Sequence, residues 1–254
     1  MTNIGDWAFY GCSSLTAITI PESVTSIGNC AFYGCASLTA ITIPESVTSI
    51  GYSAFYYCAS LTAITIPEGV TSIGDEAFYH CSRLTSITIP EGVTSIGNSA
   101  FCYCSRLTTI TIPENSQLTS IGKSAFYDCD SLTTINIPES VTKIGDYTFA
   151  SCTSLTTITI PENSQLTSIG DYTFQYCSSL TTITIPESVT SIEYYAFQNC
   201  SSLKSVKVLA TTPPSAASNS FRGVTDATLY VPEEAVSTYQ NTEPWSSFET
   251  IIGF

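Results

Sequence analysis

Leu15-Thr16-Ala17-Ile18-Thr19-Ile20-Pro21-Glu22-Ser23-Val24-Thr25-Ser26-Ile27-Gly28 decides the fold, because the chain repeats this phrase almost unchanged to near its end. Ile-Pro-Glu returns with its proline at Pro21, Pro44, Pro67, Pro90, Pro113, Pro138, Pro161 and Pro186, in steps of 23, 23, 23, 23, 25, 23 and 25 residues. The two longer steps share one cause. Glu-Ser-Val becomes Glu-Asn-Ser-Gln-Leu, once at Asn115–Leu118 and again at Asn163–Leu166. A two-residue insertion at the same place in two units marks a loop.

Each unit can be read physically. In Leu15–Ile20 the isoleucines Ile18 and Ile20 alternate with Ala17 and Thr19, as in a strand with one buried face. β-branched residues favour that geometry, and Pro21 ends it by removing a ladder donor. Val24 and Ile27 return apolar groups to the interior, and Gly28 is expected to permit a tight reversal. Ala31-Phe32 is expected to open a short helical or 3₁₀ turn whose phenyl ring plugs the next layer. One unit buries too few side chains to fold alone. Stacking supplies the missing burial and strand pairing, so the repeat predicts a solenoid.

Working outward, the 254-residue chain is 43% hydrophobic and only 11% charged, with a mean hydropathy of +0.22. Such a composition argues against intrinsic disorder. Seven Lys and Arg oppose 21 Asp and Glu, for a net charge of -14. That balance argues against nucleic acid as a partner, since phosphate binding needs clustered cations, and it disfavours anionic membranes. No apolar run is long enough to insert into a bilayer. The first fifteen residues, Met1 to Leu15, carry neither the basic nor the apolar region of a signal peptide.

The composite motif C-x-S-L-T-x-I-x-I-P-x-x-V-x-x-I-G-x-x-A-F resembles the BspA-like, Treponema pallidum-type leucine-rich repeats of bacterial surface antigens. Its period falls within the 20–29 residues of leucine-rich repeats. The resemblance covers residues 1–208, about nine rungs of 23–25 residues. The tail is similar to a Bacteroides-type C-terminal segment in Pro213-Pro214, Phe221-Arg222-Gly223, Leu229-Tyr230-Val231-Pro232, Tyr239 and Trp245-Ser246-Ser247-Phe248. The fold so implied is a right-handed leucine-rich repeat solenoid. It has a parallel sheet on one face, short helical or 3₁₀ turns and loops on the other, and a C-terminal cap at 209–254 with a helix near Glu233–Asn241. The family also implies a parent protein that is extracellular or on the cell surface. Met1 falls in mid-repeat, which is read as the start of a fragment of such a parent.

Cys12, Cys35, Cys58, Cys81, Cys104, Cys129, Cys152, Cys177 and Cys200 hold one repeat position. Rungs about 4.8 Å apart carry parallel Cβ vectors, whereas a disulfide needs Cβ atoms near 3.8 Å. The column therefore reads as buried free thiols, with Cys30 and Cys102 outside it expected to be the exposed ones. His80-Cys81 beside Cys102-Tyr103-Cys104 lacks the spacing of a zinc site. Gly122-Lys123-Ser124 imitates the end of a phosphate loop, but Gln117 stands where its first glycine belongs. No catalytic residue, cofactor or metal ligand is assigned. Eight glutamates, from Glu22 to Glu187, repeat with the prolines and read as a solvated edge, with loose calcium binding or attraction of a basic partner as the alternative.

The strand face hardly changes between rungs, while the two positions after each Ala-Phe or Thr-Phe change most and the positions before it vary too. They carry Tyr10, Tyr33, Tyr56, Tyr57, Tyr79, His80, Tyr103, Tyr127, Tyr147, Tyr172, Tyr176, Tyr194 and Tyr195. Tyrosine is enriched at interfaces because it offers contact area and a hydroxyl at low entropy cost. Those residues are the candidate interaction ridge; stacking rung on rung is the competing reading. The function expected is a non-catalytic module for a protein or glycan ligand on host or neighbouring cells, related to adhesion. The alternative is a structural spacer or stalk. The thinly covered first rung, residues 4–20, is expected to support end-to-end self-association.

Overall fold

The computed structural model describes residues 2–254 as one continuous coil of parallel strands. The Ile-Pro phrase forms the expected ladder. Ala40–Ile41 pairs with Ala63–Ile64, and Ser86–Thr88 begins an eight-stranded sheet running through Thr109–Thr111, Thr134–Asn136, Thr157–Thr159, Thr182–Ile185, Ser205–Val208, Thr228–Val231 and Thr250–Gly253. Register is fixed residue for residue, as in Ile87 opposite Ile110. Ile87, Ile110 and Ile135 are buried, while Ser86, Thr109 and Thr134 face solvent, as period-two alternation requires.

A second parallel ladder runs along another side of the coil. Asn3–Ile4, Ser26–Ile27, Ser49–Ile50, Ser72–Ile73, Ser95–Ile96, Ser120–Ile121 and Lys143–Ile144 form a seven-stranded sheet, and Ser168–Ile169, Ser191–Ile192 and Ser215–Ala216 continue the pattern. Extended chain at each Ser-Ile step buries the isoleucine and leaves its backbone to pair between rungs. Gly28 and its equivalents follow this ladder, but reversal is not their role. A Cβ on Gly97 would lie 2.5 Å from the Asp75 amide nitrogen, and one on Gly28 would lie 2.7 Å from that of Asp6. Glycine stands there because adjacent rungs touch backbone to backbone.

The third side differs from expectation. Ala31-Phe32 and its equivalents are not helical; among the described residues, helical turns occur only in the last 22 residues. Each Phe–Cys segment is a pair of overlapping turns. Alternate amides bond within the rung, as Tyr33 N–H to Cys30 O at 3.1 Å, or across to the next, as Phe32 N–H to Ala54 O at 2.8 Å. A helix would send every amide back four residues and leave the neighbouring rung unpaired. Inside, the phenyl rings from Phe9 to Phe221 stack in one file, with centroids 5.1 Å apart at Phe9–Phe32 and 5.6 Å at Phe149–Phe174.

Segment 209–254 carries the stacking onward and then covers it. Ser215–Ala216 and Thr228–Val231 join the two ladders, and Phe221 stacks on Phe197 at 5.1 Å. A 3₁₀ turn at Glu233–Ala235 runs into α1, Val236–Gln240, with a second 3₁₀ turn at Trp245–Ser247. Tyr239 and Trp245 are fully buried. Tyr239 donates its hydroxyl to Ala210 O at 2.8 Å, and Trp245 donates Nε1–H to Pro214 O at 2.9 Å. Both polar groups are satisfied, so burying these large side chains carries no hydrogen-bond penalty.

Candidate interaction surface

The variable positions cluster on the turn side because the backbone there is unlike the rest of the coil. Each rung holds two residues in the left-handed region. One column runs Gly11, Gly34, Tyr57, His80, Tyr103, Asp128, Ser151, Tyr176, Asn199 and Gly223, with φ between 56° and 80°. The other includes Trp7, Cys30, Tyr147, Tyr172 and Tyr195, with φ between 52° and 62°. Glycine and asparagine adopt this conformation readily, whereas a residue with a bulky Cβ substituent is held there at a cost of roughly 1–2 kcal/mol.

The thirteen predicted residues do not form one ridge. Tyr10, Tyr33, Tyr56 and Tyr79 make a parallel stack, with centroids 4.9, 4.5 and 4.5 Å apart. Tyr57 stacks on His80 at 4.2 Å in the adjoining column. Tyr103 then bridges edge-on, 5.4 Å from Tyr79 and 5.5 Å from Tyr127. Tyr147, Tyr172 and Tyr195 form a separate stack at 4.5 and 5.1 Å, and no ring contact joins it to Tyr127 among the described residues. Tyr176 and Tyr194 are exposed and make no ring contact. Two aromatic residues complete the surface that sequence reasoning passed over. Trp7 caps the first stack 5.0 Å from Tyr10, and Tyr52 is exposed one residue before the left-handed Ser53. Both occupy the variable positions before Ala-Phe, which was the available signal.

The faces of the stacked rings are used up by their neighbours, so what solvent meets is a row of ring edges and phenol groups. Burial raises the Tyr56, Tyr79 and Tyr103 hydroxyls above the ordinary tyrosine range. They are neutral hydrogen-bonding groups at physiological pH.

The thiols depart from expectation at three positions. All eleven cysteines are free, but Cys30 and Cys102 are buried and Cys12 is the exposed one. Cys102 takes a tyrosine's place between Tyr79 and Tyr127, where Tyr103 leans across the gap, and burial pushes its thiol up to about 12. Cys30 lies under the same flank. Cys12 belongs to the first described rung, where Phe9, Leu15 and Ile18 are only half-buried. From Cys35 onward each column thiol donates to the phenylalanine carbonyl of the preceding rung, as Cys81 Sγ to Phe55 O at 3.3 Å. Among the described residues no group of three or more His, Cys, Asp or Glu could hold a metal ion. The eight glutamates of the Ile-Pro-Glu column are all exposed.

A family model described as a BspA type leucine rich repeat region matches in six copies, over residues 2–118 and 115–228. Among solved structures, a leucine-rich repeat protein from Bacteroides ovatus is similar at 24% identity and TM-score 0.54, covering 99% of this chain and 88% of that one. The Treponema pallidum leucine-rich repeat protein is similar at 26% identity and TM-score 0.53, covering 74% of this chain and 78% of that one. A leucine rich cell surface protein from Faecalibacterium prausnitzii is 30% identical, with TM-score 0.44, over 91% of this chain and 76% of that one. No match was found among curated proteins.

Proposed function

The chain belongs to the BspA-type leucine-rich repeat family, and from that premise we propose that it is a non-catalytic module by which a bacterial surface or secreted protein holds a protein ligand, in the manner of an adhesin. One observation carries this reading. Tyr57, His80, Tyr103 and Tyr176 sit at a left-handed position that glycine fills in Gly11, Gly34 and Gly223. The backbone favours glycine there, so these side chains answer to something other than the fold. Stacking offsets the strain at Tyr57 and His80, since an aromatic pair contributes about 0.5–1.5 kcal/mol. Tyr176 has no such partner and is 47% exposed.

The edge-on presentation also favours protein over glycan. Sugars bind aromatic residues across the ring face, and here most faces are covered by other rings. Edges and hydroxyls in a row suit the mixed apolar and hydrogen-bonding surface of a protein. The test is an array of extracellular-matrix proteins, cell-surface proteins and glycans probed with the labelled chain. Capture on protein spots supports the reading. Capture confined to glycans, or none at all as for a bare spacer, overturns it.

A further inference from the structure

The repeat supplies its own control for finding where a partner makes its decisive contact. Two residues after each column cysteine stands serine in seven rungs, from Ser14 to Ser202, so the fold has no need of a larger side chain there. In two consecutive rungs the residue is Arg83 and then Arg106. Both are exposed, and among the described residues neither guanidinium makes an ion pair or hydrogen bond. Three of the other five cations are occupied: Lys123 pairs with Asp146 at 2.7 Å, Lys204 with Asp226 at 3.5 Å, and Lys207 lies 4.3 Å from the Phe254 ring centroid; Lys143 and Arg222 stand singly, in rungs apart from one another.

The same two rungs break the aromatic pattern. His80 and Tyr103 hold the left-handed column there, three residues before each arginine, and Cys102 replaces a stacked tyrosine. The His80 Nδ1 atom is buried without a hydrogen-bond partner, a departure that a folded protein carries at a cost. The arginines are thus the one place where the fold-neutral residue is exchanged twice in succession for a charged one, beside an incomplete polar contact.

We infer that Arg83 and Arg106 are the centre of the binding flank and take a carboxylate-rich segment of the partner protein; this rests on the interaction reading above. Guanidinium forks about 4.8 Å apart, one rung to the next, can each grip a carboxylate with two parallel hydrogen bonds. Arginine and tyrosine together are also the residues that most often dominate interface energetics. The chain's net charge of -14 does not cancel this local site. Glu91 lies beyond the Ser86–Thr88 strand from Arg83, eight residues on, a path of at most roughly 25 Å, and no ion pair joins the two among the described residues, where the screening length is about 8 Å in physiological salt. Asp128 and Asp130 are closer, on the next rung, yet neither pairs with Arg106.

Fluorescence anisotropy with a labelled dodecapeptide of alternating Glu and Ser, and with its Gln-for-Glu counterpart, tests this on the full chain. The key variant is Arg83→Ser/Arg106→Ser, which installs what seven other rungs already carry, so its melting temperature should match the parent's. The parent should prefer the acidic peptide, and the double variant should lose roughly tenfold or more of that affinity. Equal binding by the two chains, or no preference for Glu over Gln, overturns the arginine assignment. If the parent still captures proteins on the array in that case, the broader interaction reading stands. If it captures none, both fall.

Discussion

At the scale of single residues, the repeat separates what the fold needs from what it merely tolerates. Ile89 is fully buried in mid-solenoid, so Ile89→Ala should open a cavity and destabilise the chain by about 2–5 kcal/mol, read from denaturant melts. Tyr176 is the opposite case. Replacing it by glycine relieves a half-exposed left-handed side chain with no ring partner among the described residues, so stability should hold or rise by up to about 1 kcal/mol. A loss above that would mean the tyrosine packs in a way the structure does not show. The thiols can be counted directly. Native labelling should modify Cys12 alone, and denaturant should expose all eleven.

At the scale of elements, legibility followed periodicity. The Ile-Pro strand could be read because six residues of alternation, a β-branched composition and a terminating proline agree. The Ser-Ile ladder could not, since two residues are too few to show alternation; its partners lie 23 residues away, and only the stacked coil brings them together. The turn side was missed for a different reason. Left-handed positions announce themselves through glycine, and here Tyr, His, Ser and Cys hide the signal in most rungs. Gly97 was visible but misread, because a glycine needed for close approach looks the same in sequence as one needed for a turn. Gly97→Ala forces a Cβ onto the Asp75 backbone and should therefore cost about 1–3 kcal/mol. The candidate ridge was legible as a set of variable positions; its division into two stacks depended on ring geometry that spacing alone does not encode.

For the whole molecule, burial ties stability to alkaline pH. The thiols of Cys81, Cys129 and Cys177 are raised well above the ordinary thiol range, by burial first and by neighbouring thiols second. Unfolded thiols ionise near pH 8.5, while folded ones stay protonated. Stability from this source is complete below that pH and is lost as pH rises towards the folded values. Denaturant midpoints should fall steadily above about pH 9, and a flat profile to pH 11 would contradict the burial of the column.

The ends of the coil also differ. Phe9, Leu15 and Ile18 are only half-buried, whereas their equivalents Phe32, Leu38 and Ile41 are buried. We therefore expect the chain to associate through residues 4–20 as concentration rises, by light scattering, and Ile18→Lys to suppress it.

The central claim, that the left-handed tyrosines exist for a ligand, is tested most directly by protein-array capture with Tyr57→Gly/Tyr103→Gly/Tyr176→Gly beside the parent chain. Glycine already serves this position in three rungs, so the variant should melt within a few degrees of the parent. The account predicts that it captures nothing the parent captures. Capture at parental strength by a fully folded variant would contradict it.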